Sequence, residues 1–204
     1  MHGDSAAKIM SKSRIESFSD GVFAIVLTLL VFNFHVPNLS GPNFNEELYA
    51  KLFAMHAYVE TYVLSFVLIG AYWIAHHAFF CGLKRADNGL LWINNLFLLF
   101  LAFVPFPTQV LGAYPETESA AIFFGAVMVL LSLSFSLLIY YCYFVGKLAN
   151  YTVSDEYMHR SLTKGVAGAT LYAFALALSA YHPDVTLSMY ALIPFLFFIP
   201  LRVR

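Results

Sequence analysis

The sequence predicts an all-α integral membrane protein with six transmembrane helices in a single domain, residues 1–204. Three observations carry this. Sixty per cent of the 204 residues are hydrophobic and only 11% are charged, with a mean hydropathy of +0.72, whereas soluble domains run at roughly 25% charged. A bilayer core needs ~20 apolar residues per helix, so six spans use about 120 residues and leave only short loops. The basic residues also separate by side once six spans are drawn. The composition excludes a soluble globular domain, a disordered chain and a nucleic-acid binder, and the net charge of −1 attracts no polyanion.

The first span covers residues 15–36 and stops before Pro37. Its opening, Phe18-Ser19-Asp20-Gly21, is unlike the apolar stretch of a signal peptide. A polar segment from Asn38 to Asn45 follows, and Glu46–Met55 reads as a short amphipathic helical lead-in. The second span is 57–80, closed by the polar turn Lys84–Gly89. The third, 90–111, carries Pro105 and Pro107, so its last turns are expected to kink or unwind. The fourth is 120–145, with Lys147–Lys164 as the longest polar connection. The fifth is 162–181 and the sixth 185–201.

With these spans, Lys8, Lys12, Arg14, Lys84, Arg85, Lys147, Arg160, Lys164, Arg202 and Arg204 fall on one side and Lys51 alone on the other. Positive residues stay cytoplasmic, which places both termini inside the cell. The outer side holds Glu46, Glu47, Glu60, Glu116, Glu118 and Asp184. An acidic rim concentrates cations, although the insertion rule by itself also empties outer loops of Lys and Arg.

Ionisable groups within spans are costly and usually functional. Glu16 and Asp20 lie in the first helix and His76 and His77 in the second. Ser19 and Asp20 can bond to neighbouring helices, with Trp73 and His77, four apart on one face, as candidate partners. Asn94 and Asn95 open the third helix at the same depth, so one polar cluster tying three helices is the economical reading. At 100° per residue, Gly21, Ile25, Thr28, Leu29 and Phe32 share one face of the first helix, and Asp20 lies opposite. Periodicity leaves two uses for that face, a pore or packing against lipid and helices.

His76 and His77 do not chelate as a pair, because adjacent helical residues point ~100° apart. No carboxylate or Cys is read at ligand spacing, so no metal is expected. Cys81 and Cys142 make neither a disulfide nor a zinc framework. A Ser19/His77/Asp20 hydrolase lacks the nucleophile-elbow glycines, and no enzyme is expected. No carbonyl selectivity filter and no Arg-rich voltage sensor are present. A secondary transporter of a small cation or proton is the alternative class, but it favours internal repeats and midplane breaks, and no clear repeat relates the two three-helix halves.

The segment Arg14-Ile15-Glu16-Ser17-Phe18-Ser19-Asp20-Gly21 resembles the opening of the lysosomal potassium channel family called transmembrane protein 175, in its bacterial six-helix branch. Its Arg-x-x-x-Phe-Ser-Asp signature is specific. Ser65-Phe66, Ile69-Gly70, Trp73, His76-His77 and Asn95 to Thr108 are also similar to family sequence, so the likeness covers the first three helices. The resemblance implies a homotetramer in a bacterial cell membrane, with a central pore lined by the first helix of each subunit. It implies a potassium-permeable, weakly to moderately selective channel, without cofactor and with monovalent cations as permeant partners. On the matching positions, Ile25 is the constricting aliphatic ring, Thr28 the hydroxyl position and Leu29 the next turn of the stripe. Phe32 is a further outward ring, where an aromatic departs from the family's aliphatic. Arg14, Phe18, Ser19, Asp20, Trp73, His77 and Asn95 belong to the interhelical network that the resemblance implies.

Overall fold

The structure is a computed structural model that describes residues 11–179 and 183–194. It is all-helical there: α1 (Lys12–Leu29), α2 (Phe44–Ala54), α3 (His56–Cys81), α4 (Asn88–Phe103), α5 (Pro105–Ala113), α6 (Glu118–Tyr140), α7 (Asp155–Leu178) and α8 (Pro183–Leu192). Among the described residues, five helical stretches are long and apolar enough to cross a membrane: Lys12–Asn33, His56–Cys81, Asn88–Ala113, Glu118–Val145 and Asp155–Leu178. The sixth expected span starts within α8. Its part beyond residue 194 lies outside the described residues, as do Lys8, Arg202, Arg204, the last residues of the fifth expected span and the side chain of Asp184.

α1 ends at Leu29 and tightens into a 3₁₀ turn, Leu30–Asn33, so the first helical stretch stops three residues before the expected Val36. The third span is broken where its prolines require it. α4 ends at Phe103, and Pro105, which has no amide hydrogen to donate, starts α5 at its first position. Asp87 caps α4 by accepting from the Leu90 amide at 2.8 Å, and its other oxygen accepts from the Tyr141 hydroxyl at 3.0 Å. The expected long polar connection is shorter than the sequence suggested. α7 begins at Asp155, capped by the Ser154 hydroxyl, so Arg160 and Lys164 stand on its first turns instead of in a loop. A cap followed by two acidic residues outweighs the polarity of the segment.

α6 is the central helix and is buried over more of its length than α1 or α7. It packs on α7 through small residues. A Cβ on Gly165 would stand 2.6 Å from the Ser136 hydroxyl, and one on Gly125 would stand 3.2 Å from the Leu176 side chain. Small residues let helix backbones approach where lipid supplies no hydrophobic drive. α6 ends in a π-turn, Tyr141–Val145.

α1, α3 and α4 form the other half of the bundle. Lys12 donates to the Phe80 and Leu83 carbonyls at 2.8 and 3.0 Å, so the start of α1 meets the end of α3 and satisfies its terminal carbonyls. The Lys84 amide bonds the Leu148 carbonyl, and Arg85 reaches the Gly146 carbonyl. Lys12, Lys84, Arg85 and Lys147 thus gather at one end of the bundle, while Lys51 lies on α2 with Glu47. Four of the ten basic residues read on one side are thus brought together in the fold.

α2 matches the expected lead-in, and no side chain on it is buried. Glu47 organises the loop before it. It pairs with Lys51 at 2.7 Å and accepts from the Gly41 and Ser40 amides at 2.7 and 3.0 Å, while Lys51 also reaches the Asn38 carbonyl. These partners, Lys51 foremost, lower the Glu47 carboxyl from its usual 4.5 to about 2. A lowered carboxyl contributes order that is complete above its usual value and is lost as pH falls through the folded value. The Ser40 and Gly41 amide shifts, followed by NMR on acidification, are therefore expected to hold through pH 4.5 and to change near pH 2. A transition at the usual carboxyl value contradicts this arrangement.

Candidate functional site

The buried face of α1 is Ile15, Ser19, Phe23 and Val26, continued by Leu30. These residues recur every three or four positions and fix how the helix is rotated. Ser19 is the polar member. Its hydroxyl donates to the Ile15 carbonyl at 2.9 Å and accepts from Asn94 Nδ2 of α4 at 2.9 Å. The Asn94 carbonyl oxygen lies 3.0 Å from His76 Nε2 of α3, which donates to it. Ser19, Asn94 and His76 are fully buried. The His76 ring stacks on Phe80 and Phe97, with centroids at 4.4 and 5.7 Å, and meets the edge of Phe23 at 5.5 Å. One closed chain of bonds thus ties three helices, as the clustered polar residues suggested.

The chain runs through His76 and Asn94 rather than through their neighbours His77 and Asn95. Asn95 is exposed and makes no hydrogen bond among the described residues. The missed signal is helical phase. Asn94 falls in the buried stripe Leu90, Asn94, Phe97, Leu98 and Leu101, and His76 in the stripe Ser65, Ile69, Tyr72, His76 and Phe79.

A second polar seam runs beside the first, nearer the surface. Trp73 Nε1 donates to Asp20 at 2.9 Å, so α1 and α3 meet through the pair that the sequence suggested. Trp73 stacks on His77 with centroids at 6.1 Å. His77 does not bond Asp20 among the described residues. Its Nδ1 faces Glu16 at 3.8 Å, and its Nε2 lies 3.7 Å from the Cys81 sulfur. The absence of a Cys at ligand spacing is therefore corrected, because Cys81 follows His77 by four residues, one helical turn. Arg14 and Phe18 are exposed, and Arg14 makes no ion pair among the described residues.

The remaining face of α1 is open. Ile25 is 59% exposed, Leu29 41% and Phe32 71%, and Thr28 is exposed between them. A Cβ on Gly21 would meet nothing within 4 Å. The shared face derived from 100° per residue is therefore the face this chain leaves uncovered. The Thr28 hydroxyl donates to the Ile25 carbonyl at 2.8 Å, which leaves its oxygen lone pairs turned away from the backbone. The C-terminal end of the helix is fixed by Asn33, whose amide donates to the Pro105 carbonyl at 3.3 Å, and by His35, 3.3 Å from Gln109.

Long apolar helices, a buried interhelical polar chain and an uncovered apolar stripe on the first span define a multi-pass α-helical membrane protein. The family profile described as endosomal/lysosomal potassium channel TMEM175 matches residues 14–105, the part that contains both polar seams and the open stripe. A potassium channel of Streptomyces collinus is 33% identical over 184 residues, covering 88% of each chain. The human endosomal/lysosomal proton channel TMEM175 is 32% identical over 136 residues, which are 63% of this chain and 27% of the human protein. The crystal structure of a lysosomal potassium-selective channel TMEM175 homolog from Chamaesiphon minutus superposes with a TM-score of 0.80 at 27% identity, covering 92% of this chain and 96% of that one. The chain belongs to the TMEM175 family.

Proposed function

We propose that the chain is a potassium-permeable cation channel, weakly to moderately selective, formed by four copies with α1 of each around a central pore. The observation that carries this is the open stripe Ile25, Thr28, Leu29 and Phe32, on a helix whose opposite face is locked by Ser19, Asn94 and His76. The names of the relatives support cation conduction. The Asp20–Trp73 pair supports self-association, because a carboxylate on a half-exposed seam is costly against lipid tails and is better covered by a second copy. The bundle end that holds Lys12, Lys84, Arg85 and Lys147 is cytoplasmic on this reading, in a bacterial plasma membrane, with six spans per chain.

Four Ile25 side chains form an apolar ring that gates by shedding water when narrow, and Leu29 extends it by one turn. Potassium gives up its hydration more readily than sodium, so a ring of this kind favours potassium without a carbonyl cage. Four Thr28 oxygens, their protons held by the Ile25 carbonyls, replace part of the lost hydration. Phe32 lies at the outer mouth. Catalysis has no part in this mechanism, nor has any cofactor.

Purified protein in potassium-loaded liposomes tests the reading. Potassium efflux is expected to exceed sodium efflux from matched sodium-loaded liposomes. Thr28→Val keeps the shape and removes the oxygen, so potassium flux is expected to fall by roughly fivefold, the equivalent of about 1 kcal/mol. Equal potassium and sodium fluxes that Thr28→Val leaves unchanged would remove the hydroxyl ring from the conduction path.

A further inference from the structure

We propose that Glu16, His77 and Cys81 form a binding site for a thiophilic divalent cation, of which zinc is the type, across the α1–α3 seam. One ligand atom from each residue lies within 4.8 Å of the others. Ligand atoms around a tetrahedral zinc stand roughly 3.3–3.7 Å apart, so the set closes by about 1 Å on binding. The Cys81 sulfur stands 3.7 Å from His77 Nε2, and the Glu16 carboxylate, now 3.8 Å from the other ring nitrogen Nδ1, must turn toward the cation to join them. His77 and Cys81 are four apart on α3 and present one face, as paired helical metal ligands do, and Glu16 closes the set from α1. Thiolate, imidazole and carboxylate together select zinc over magnesium or calcium, which take oxygen ligands alone. Three protein ligands leave a fourth position for water. Cys81 and His77 are exposed and Glu16 half-buried in the protomer. On binding, the Cys81 thiol releases its proton to water and its sulfur takes the metal.

The site lies one turn inside the Lys12 contacts with the Phe80 and Leu83 carbonyls. The cation therefore adds a second tie between the cytoplasmic ends of α1 and α3, on the helix that carries the open stripe. Neither the conduction reading nor the Ser19–Asn94–His76 chain depends on it.

Cobalt is the probe, because a thiolate bound to cobalt absorbs in the near ultraviolet. Full-length protein in detergent is expected to bind one cobalt per chain with that band, and zinc is expected to displace it and raise the thermal midpoint. Cys81→Ser should abolish the band and weaken zinc binding by at least about tenfold. Glu16→Gln should weaken binding while keeping the band. Cys142 is fully buried and supplies no competing thiolate. Both variants are compared at the wild-type elution volume, so a folding defect is separated from loss of a ligand. A band that survives Cys81→Ser, cobalt bound without a thiolate band, or no saturable zinc binding by the wild type overturns the proposal.

Discussion

Ile25→Asn is expected to raise potassium flux by at least about tenfold and to weaken discrimination against sodium. In the proposed assembly the substitution changes four side chains at once and places four amides where four sec-butyl groups stood. A ring that sheds water becomes one that holds it, and the barrier to a cation falls accordingly. Tenfold corresponds to about 1.4 kcal/mol, a small part of the difference between an apolar and a polar constriction. Folding is not expected to suffer, because Ile25 is 59% exposed in the protomer and leaves no cavity behind. Liposome flux with both ions, at matched protein content, measures the effect. Unchanged flux in an assembled Ile25→Asn protein removes this residue from the constriction.

Asn94→Ala is expected to cause the largest loss of stability, about 2–4 kcal/mol. Asn94 is the middle of the buried chain, accepting from His76 at 3.0 Å and donating to the Ser19 hydroxyl at 2.9 Å. Its removal leaves the His76 N–H without a partner away from water and takes from the Ser19 hydroxyl the donor it accepts from, although Ser19 still donates to the Ile15 carbonyl, and a buried polar group left unpaired costs ~1–3 kcal/mol. Asn95→Ala is the matched control. Its side chain is exposed and unbonded among the described residues, and surface changes of this kind stay within about 0.5 kcal/mol. Thermal unfolding in detergent, read with the fraction of assembled protein, should separate the two variants clearly. Equal stabilities would mean that the three-helix chain does not hold α1 in rotation.

The sequence was most legible where physics leaves few solutions. Hydrophobic length marks five of the six expected spans among the described residues, Pro105 marks the break between α4 and α5, and Lys12, Lys84, Arg85 and Lys147 mark one end of the bundle. Helical phase puts Ile25, Thr28, Leu29 and Phe32 on one face without saying whether that face is open, and Trp73 is legible as a candidate partner of Asp20. Legibility ended where adjacent residues share a chemistry but point ~100° apart. His76 against His77, and Asn94 against Asn95, are separated only by the buried stripes of α3 and α4, and those stripes are faint in helices that are apolar all round. The start of α7 was hidden for the opposite reason. Its first turns are polar and resemble a loop, and only the Ser154 cap with Asp155 and Glu156 marks a helix there. The His77–Cys81 spacing was present in the sequence, but its meaning depends on Glu16, which the fold brings from another helix.

The central claim is that the open face of α1 lines the ion path. In a Cys81→Ser background, which removes the exposed native thiol, Ile25→Cys and Ile74→Cys can each be treated with a cationic thiol reagent during potassium flux. Ile74 is 50% exposed on α3 and provides the comparison outside the stripe. The account predicts that modification at position 25 stops the flux and that equal modification at position 74 leaves it unchanged. Flux that continues with position 25 fully labelled, as established by mass spectrometry, would contradict it.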